Sequence, residues 1–432
     1  MSYLRKDLNP KSLYSSIRDI FGKIKDRSKR ASSNKIQLVD SLMSGLAVFS
    51  LKFPSLLQFE ENKSMQKIKQ NLFCLFGIKE APSDTHMRRQ LDEVEISDIR
   101  PAFKKIFSLL QRGKVLEQYQ YLDGHYLLSI DGTGQYSSDK VRCEECCEKH
   151  HKNGRIEYYH QMLGACLVSP DNPIVIPLGP EPITKQDGSN KNDCERNAAK
   201  RLLENIRREH PHLKMIVLED GLSSNGPHIR LLKELEMRFI LGVKPDDHKF
   251  LFEWVDAAKC ETHEEVDMKG VMHKYRFLNN VPLNDANFDL KVNFLEYWEV
   301  HPNGKTKHFS WVSDFLIQKD ILYKIMRGGR SRWKIENETF NTLKTQGYCF
   351  EHNYGHGNKR LCSVLTMLML LSFLIDQTLE LCCEIYKAAR KKERTKYSLW
   401  EKMRVLFVYF VWESWEKFLT AISLREIPLD SS

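Results

Sequence analysis

YLLSID (126–131) and KMIVLED (214–220) decide how this chain reads. Each is a run of β-prone apolar residues that closes on an aspartate, Asp131 or Asp220, followed by glycine. Runs of this length and composition are strands, buried ones where no polar alternation breaks them. IEYYHQMLGACLVS (156–169) and PIVIPL (173–178) give two more strands, parted by the turn residues Pro170, Asp171 and Asn172. KNDCERNAAKRLLENIRREH (191–210) has the amphipathic spacing of a helix. GPHIRLLKELEM (226–237) is a second helix, with proline in its first turn where the missing N–H does no harm. RFILGVK (238–244) is a further strand. Strand, strand, strand, helix, strand, helix, strand implies an α/β layer structure whose sheet is partly parallel.

That order is the order of the RNase H-like fold, a mixed sheet flanked by helices, and residues 121–360 are expected to form it. Residues 245–318 interrupt the pattern. Their two alternating runs around Pro302-Asn303-Gly304 predict a hairpin, so this segment reads as a β-rich insertion. Residues 1–120 and 361–432 read as helical. In the first region a helix ends near Gly77, and Ser83 or Asp84 begins another that carries His86, Arg88 and Arg89. Two short helices about a turn fit a helix-turn-helix, which makes Arg88 and Arg89 candidate DNA contacts. A basic cluster precedes them at Lys23, Lys25, Arg27, Lys29, Arg30 and Lys35.

The 432 residues carry a formal net charge of +9, which favours a polyanionic partner through phosphate neutralisation and counterion release. The opening MSYLRKDLNPKSLYSS lacks a charged-then-apolar signal segment, and the 11 cysteines are an odd number. Free or metal-bound thiols in a reducing cytoplasm are the expectation. The apolar run from Leu361 to Ile375 is too short to span a bilayer and predicts a buried core helix, with no membrane partner.

Neighbouring strands ending on Asp131 and Asp220 bring two carboxylates to one sheet edge, where active sites of open α/β sheets lie. Such a pair repels unless a cation sits between its members, and hard oxygen ligands suit Mg²⁺. Glu336, in RWKIENETFNTLK, is the third candidate. On a regular helix it shares a stripe with Arg332, Phe340 and Leu343, a costly place for a carboxylate unless it is paired or metal-bound. The bland reading is an ion pair with Arg332 one turn away. Three carboxylates around two Mg²⁺ or Mn²⁺ ions meet the needs of phosphodiester chemistry. Arg332, Lys334 and Lys344 on the same helix are candidate phosphate contacts. Glu338 is the competing third acid.

CEECCEKHH (143–151) places Cys143, Cys146, Cys147, His150 and His151 within nine residues, a thiolate and imidazole mixture that suits one structural zinc. Cys194 is a candidate remote ligand. His352 and His356, in EHNYGHG, are spaced i, i+4 and could also bind metal, but the Gly-rich run reads as a loop, which favours phosphate or packing contacts.

LLSIDGTGQYSS (127–138), MIVLEDGLSSNGPH (215–228) and GRSRWKIENETFNTLKTQGY (329–348), in that order, resemble the insertion-sequence transposases of the DDE superfamily, the cut-and-paste group with a β-rich insertion before the last acid. Arg332 and Glu336 match that group's final motif in type and spacing. Its tyrosine position is Gly329 here, and its lysine position is Leu343, with Lys344 one step on. The resemblance covers roughly residues 120–360. It implies Asp131, Asp220 and Glu336 as catalytic metal ligands for cleaving element ends and joining 3′-hydroxyls to a target. It further implies double-stranded DNA partners (terminal inverted repeats and target), a homodimer, and a bacterial, nucleoid-associated setting. An RNase H-like nuclease without strand transfer and an inactive DNA-binding regulator are the rival readings.

Overall fold

The computed structural model describes residues 5–28, 36–188 and 191–425; Lys29, Arg30 and Lys35 of the basic cluster lie outside them. Eleven strands build one mixed sheet. They are β1 (Tyr126–Ser138), β2 (Cys147–His150), β3 (Ile156–Ser169), β4 (Asn172–Pro177), β5 (Glu181–Ile183), β6 (Met215–Glu219), β7 (Arg238–Gly242), β8 (Glu261–Val266), β9 (Met272–Pro282), β10 (Lys291–Val300) and β11 (Thr306–Ser313). The hydrogen-bonded order is β2-β3-β1-β6-β7-β11-β10-β9-β8, with β4 and β5 also paired to β3.

β1 is antiparallel to β3 and parallel to β6, and β6 is parallel to β7. An antiparallel meander followed by two parallel strands, reached through helices Lys191–Glu209 and Gly226–Glu234, is the RNase H-like arrangement. Leu127, Leu128 and Ile130 and all of Met215–Glu219 are buried, as expected of central strands covered on both faces. Two short strands escaped the sequence reading. β2 and β5 are too brief to show a period, and β3 is the one strand either of them pairs with.

The insertion opens with a helix, Lys249–Ala257, and then supplies four antiparallel strands, β8 to β11. It is no appended module, because β11 pairs with β7 and so extends the central sheet. The hairpin turn falls at Pro302-Asn303-Gly304 as the sequence predicts, with Gly304 at φ 81°, a left-handed position that suits glycine.

The N- and C-terminal helices pack on each other. Helix Leu361–Cys382 is apolar and long enough to cross a membrane by length and composition, yet its most apolar window is 100% buried. It packs on helices Leu38–Ser50 and Ile96–Arg112 and on β4. A Cβ on Gly45 would come within 2.9 Å of the Leu368 side chain, so the two helix backbones approach closely. At their far end Lys52, Asp376 and Tyr348 form a buried ionic cluster, with Lys52 Nζ 4.2 Å from the ring centres of both Tyr348 and Trp400. Arg100 joins this helical body to the sheet domain, donating to both oxygens of Glu209 and to the Pro180 carbonyl.

Candidate active site and a nearby thiol-imidazole cluster

The register between β1 and β6 runs Tyr126↔Met215 to Ser129↔Leu218. Carried two residues further, it sets Asp131 level with Asp220. Pairing stops before that point, because β6 ends at Glu219 while β1 continues alone against β3, where Asp131 faces Gly164. The two aspartates therefore stand where the parallel strands part, and both line one small cleft. Asp220 caps the 3₁₀ turn Gly221–Ser223, its carboxylate accepting from the Leu222 N–H at 3.0 Å. Asp131 accepts from the Gly132 N–H at 2.9 Å and from Arg332 Nη1 at 2.8 Å. Burial pushes the Asp131 carboxyl above its ordinary range. Arg332 and the Gly132 N–H pull it back, and the Asp220 charge raises it again. This carboxylate gains from any cation brought beside it.

Arg332 comes from the segment that holds Glu336, and it pairs with Asp131, so the bland alternative of an Arg332–Glu336 ion pair is not what forms. The segment is no regular helix: Ile335–Phe340 is a π-helical turn. One extra residue per turn rotates the side chains past it, an irregularity frequent at functional sites. The expectation that Glu336 lies on the apolar stripe is thereby corrected. Ile335, Thr339 and Phe340 are buried, and Glu336 is exposed. The buried residues hold the turn on the sheet: the Phe340 ring covers Gly164, and Thr339 Oγ1 lies 3.3 Å from Cys166 Sγ. Ser129 donates to the Arg332 carbonyl from beneath. Glu336 does not line the cleft, and no hydrogen bond or ion pair engages its carboxylate among the described residues.

Two carboxylates that no motif singled out do line the cleft. Glu195, on helix Lys191–Glu209, has Oε1 3.3 Å from where a Cβ on Gly132 would stand. In the sequence it is one charge among several on an amphipathic helix and reads as a solvated face. Glu219 is buried against His228, with Nε2 to Oε2 at 2.6 Å. Burial alone would lower the His228 imidazole; the Glu219 carboxylate outweighs it and holds it above its usual value. Asp131, Asp220 and Glu195 are hard oxygen donors of the type that holds Mg²⁺, and Arg332 already shows that a cation is accommodated at Asp131. A groove of about 570 Å³ opens beside Asp220, lined in part by Arg196, Asn225, Lys244, His248 and Lys249. Arg196, Lys244 and Lys249 are exposed and form no ion pair among the described residues.

The other candidate DNA contacts are partly committed elsewhere. Lys334 donates to the Asn172 carbonyl at 2.7 Å, and Lys344 pairs with Glu351 at 2.9 Å. The helix boundaries at Gly77 and Ser83 are as predicted. Arg88 pairs with Asp84 and Arg89 meets His86, within a helix that also packs on Leu38–Ser50 and Leu361–Cys382.

The Cys/His loop needs correcting. Cys143 and Cys146 converge with His160 of β3 and His356, not with their neighbours. β2 pairs with β3 and turns the rest away. Cys147 Sγ donates to the Ile183 carbonyl, its thiol pushed up to about 12 chiefly by burial. Cys194 lies beside Cys147 and donates to the Gly188 carbonyl. His150 faces Glu148, and His151 faces Glu157. His160 gave no sequence signal because a lone histidine in an apolar strand reads as core.

No family model and no curated protein matches the chain. Among solved structures it is similar to the piggyBac transposase in a cryo-EM synaptic complex with hairpin DNA. The TM-score is 0.45 and the identity 10%, over 99% of this chain and 84% of that one. With a likeness this distant, the fold rests on the strand order and register described above.

Proposed function

We propose that the chain is a metal-dependent DNA transposase of the DDE type, which hydrolyses phosphodiester bonds at element ends and transfers the 3′-hydroxyls into target DNA. The observation that carries this reading is the parallel β1–β6 register bringing Asp131 level with Asp220 in an RNase H-like strand order. Asp131 and Asp220 would hold two Mg²⁺ or Mn²⁺ ions, with the third acid supplied by Glu336 after an approach of the π-helical turn, or by Glu195 from the facing helix. When bound, such ions activate the attacking oxygen and neutralise the leaving one. The groove cations Arg196, Lys244 and Lys249 suit the flanking phosphates, which position DNA without reading its sequence. Arg332 favours the ionised form of Asp131 and orients it, and a bound metal ion would supply positive charge at the same carboxylate. A dimer holding both ends and a nucleoid-associated cytoplasmic location belong to the same proposal.

The test is cleavage of a plasmid carrying the gene's own flanking DNA with Mg²⁺ or Mn²⁺. Wild type should cut at the element boundaries and join the ends to a second plasmid. Asp131→Asn and Asp220→Asn should bind the DNA and lose cleavage by about 10²–10³-fold or more. Glu336→Gln and Glu195→Gln identify the third acid by which of them matches that loss. Cutting without joining would replace the transposase reading by a nuclease. Binding without cutting by wild type, under either metal, would leave a DNA-binding regulator.

A further inference from the structure

We infer that Cys143, Cys146, His160 and His356 bind one structural Zn²⁺, a site separate from the carboxylate cleft. Their four ligand atoms lie within 4.8 Å of one another. Cys143 Sγ and Cys146 Sγ are 3.7 Å apart, far beyond the roughly 2.05 Å of a disulfide. His160 Nε2 lies 3.3 Å from Cys143 Sγ and 3.4 Å from Cys146 Sγ, and His356 Nε2 lies 3.2 Å from Cys146 Sγ. Zn–S bonds of about 2.3 Å and Zn–N bonds of about 2.0–2.1 Å at tetrahedral angles set S···S at about 3.8 Å and S···N at about 3.6 Å. The protein holds these edges with little adjustment left to make. Thiolate and imidazole donors in a two-plus-two set select zinc over the hard cation that suits the aspartates.

Burial strengthens the assignment. Cys146, His160 and His356 are all buried. His356 Nδ1 has no hydrogen-bond partner, so Nε2, aimed at the sulfur, is the one polar atom anchoring that ring. With Nδ1 left to carry the ring proton, Nε2 is free to present its lone pair, the form in which a neutral imidazole ligates zinc. The ligands come from three places: the β1–β2 connection, the interior of β3, and the irregular segment between residues 346 and 360. That segment follows the π-helical turn and leads into helix Leu361–Cys382. Zinc would therefore fasten the chain just after Glu336 and Lys344 to the outer half of the β1–β3 pair. Its expected role is positional, with no part in the phosphodiester step.

The full-length chain, purified without chelators, should contain about one zinc per molecule by elemental analysis. Replacing zinc with Co²⁺ should give the visible bands and thiolate charge-transfer absorption of a tetrahedral two-sulfur site. Cys146→Ser and His356→Ala should lose the metal, whereas Cys147→Ser, His150→Ala and His151→Ala should retain it. The cobalt spectrum of wild type reads the site even where a ligand variant fails to fold. A metal-free wild type that takes up neither zinc nor cobalt would overturn the site, as would a Cys143–Cys146 disulfide in its place. Loss of zinc from Cys147→Ser with retention in His356→Ala would overturn this ligand set in favour of the contiguous loop. None of these outcomes depends on whether the chain cuts DNA.

Discussion

Arg332 places its guanidinium 2.8 Å from the carboxylate of Asp131, and 201 residues of chain separate the two. The contact couples the π-helical segment to the central strand, and it is made at an acid the fold holds uncomfortably. Burial raises the Asp131 carboxyl, Arg332 opposes, and Asp220 adds to the rise. A carboxyl held above its unfolded value contributes stability below the unfolded pKa and loses it as pH rises through the folded one. Ionised Asp131 therefore destabilises the metal-free chain at neutral pH. Asp131→Asn should melt higher than wild type in chelator at neutral pH, with the gap closing under acid conditions. Mg²⁺ should raise the wild-type midpoint and leave the variant unmoved, since only a ligand of the native state stabilises it. A variant that melts lower in chelator, or responds equally to Mg²⁺, would remove the argument that this site is built for a cation.

A second carboxylate acts purely through structure. Asp92 accepts from the backbone N–H groups of Asn358, Lys359, Arg360 and Leu361, at 2.9 to 3.1 Å for its nearer contacts. Arg360 and Leu361 are orphan donors at the start of helix Leu361–Cys382, Asn358 and Lys359 lead into it, and the positive end of that helix favours the charge. The fit is tight, since a Cβ on Gly357 would fall 2.4 Å from Asp92 Oδ1. Asp92→Ala should cost about 1–3 kcal/mol, because the buried Leu361 N–H and three half-buried ones lose a charged acceptor at once. Asp92→Asn should cost less. Urea unfolding monitored by tryptophan fluorescence measures both. A loss under about 0.5 kcal/mol, the scale of an ordinary surface substitution, would show that water replaces the cap.

The sheet was legible because its strands announce themselves locally. Ile156–Ser169 matches its predicted span and β6 ends beside Asp220, but β1 runs past Asp131 to Ser138, because β3 goes on pairing with it after β6 has stopped. What resisted reading was set by partners far along the chain. The 3.6-residue period placed Glu336 on the apolar stripe, but no local period reports a π-helical turn. Glu195 became visible only when its helix was laid across Gly132. Of the five Cys/His candidates, Cys143 and Cys146 alone enter the side-chain cluster, for the same reason. Cys143 and Cys146 are adjacent in sequence, whereas His160 and His356 arrive through strand pairing and through a loop fixed by Asp92. Proximity in sequence favoured Cys147, His150 and His151, which the β2–β3 ladder directs elsewhere.

His210 gives the fold a distinct acid sensitivity. It is buried at the end of helix Lys191–Glu209, its ring 4.2 Å from that of Phe107. Burial first, then the nearby Lys104, Arg100 and Arg207, push its imidazole down to about 4. The unfolded chain therefore binds a proton that the folded chain refuses between roughly pH 6.5 and 4. This contribution is fully present above the upper value and is lost as pH falls through that window. It amounts to about 3 kcal/mol, at 1.36 kcal/mol per unit. His210→Phe keeps the ring contact and removes the proton. Wild type should lose more stability than the variant between neutral pH and the acid end, and equal pH slopes would show that the imidazole titrates freely in the fold.

Gly164 ties packing to the proposed chemistry. It faces Asp131 across the β1–β3 ladder, and a Cβ there would stand 2.9 Å from two ring carbons of Phe340. Nothing in its backbone demands glycine, so the absence of a side chain serves the ring alone. Gly164→Ala must push the Phe340 side of the π-helical turn outward, and overpacking of this kind costs typically about 1–3 kcal/mol. Arg332 and Glu336 ride on the displaced segment. DNA cleavage should therefore fall by more than the loss of folded protein explains, with DNA binding unchanged. Phe340→Leu makes room for the methyl group. The double variant should recover stability and cleavage together, with a coupling of about 0.5–3 kcal/mol between the two sites. Recovered stability without recovered cleavage would mean that Phe340 itself sets the position of the third acid. Additive losses would mean that the ring and the glycine do not meet in the folded chain in solution.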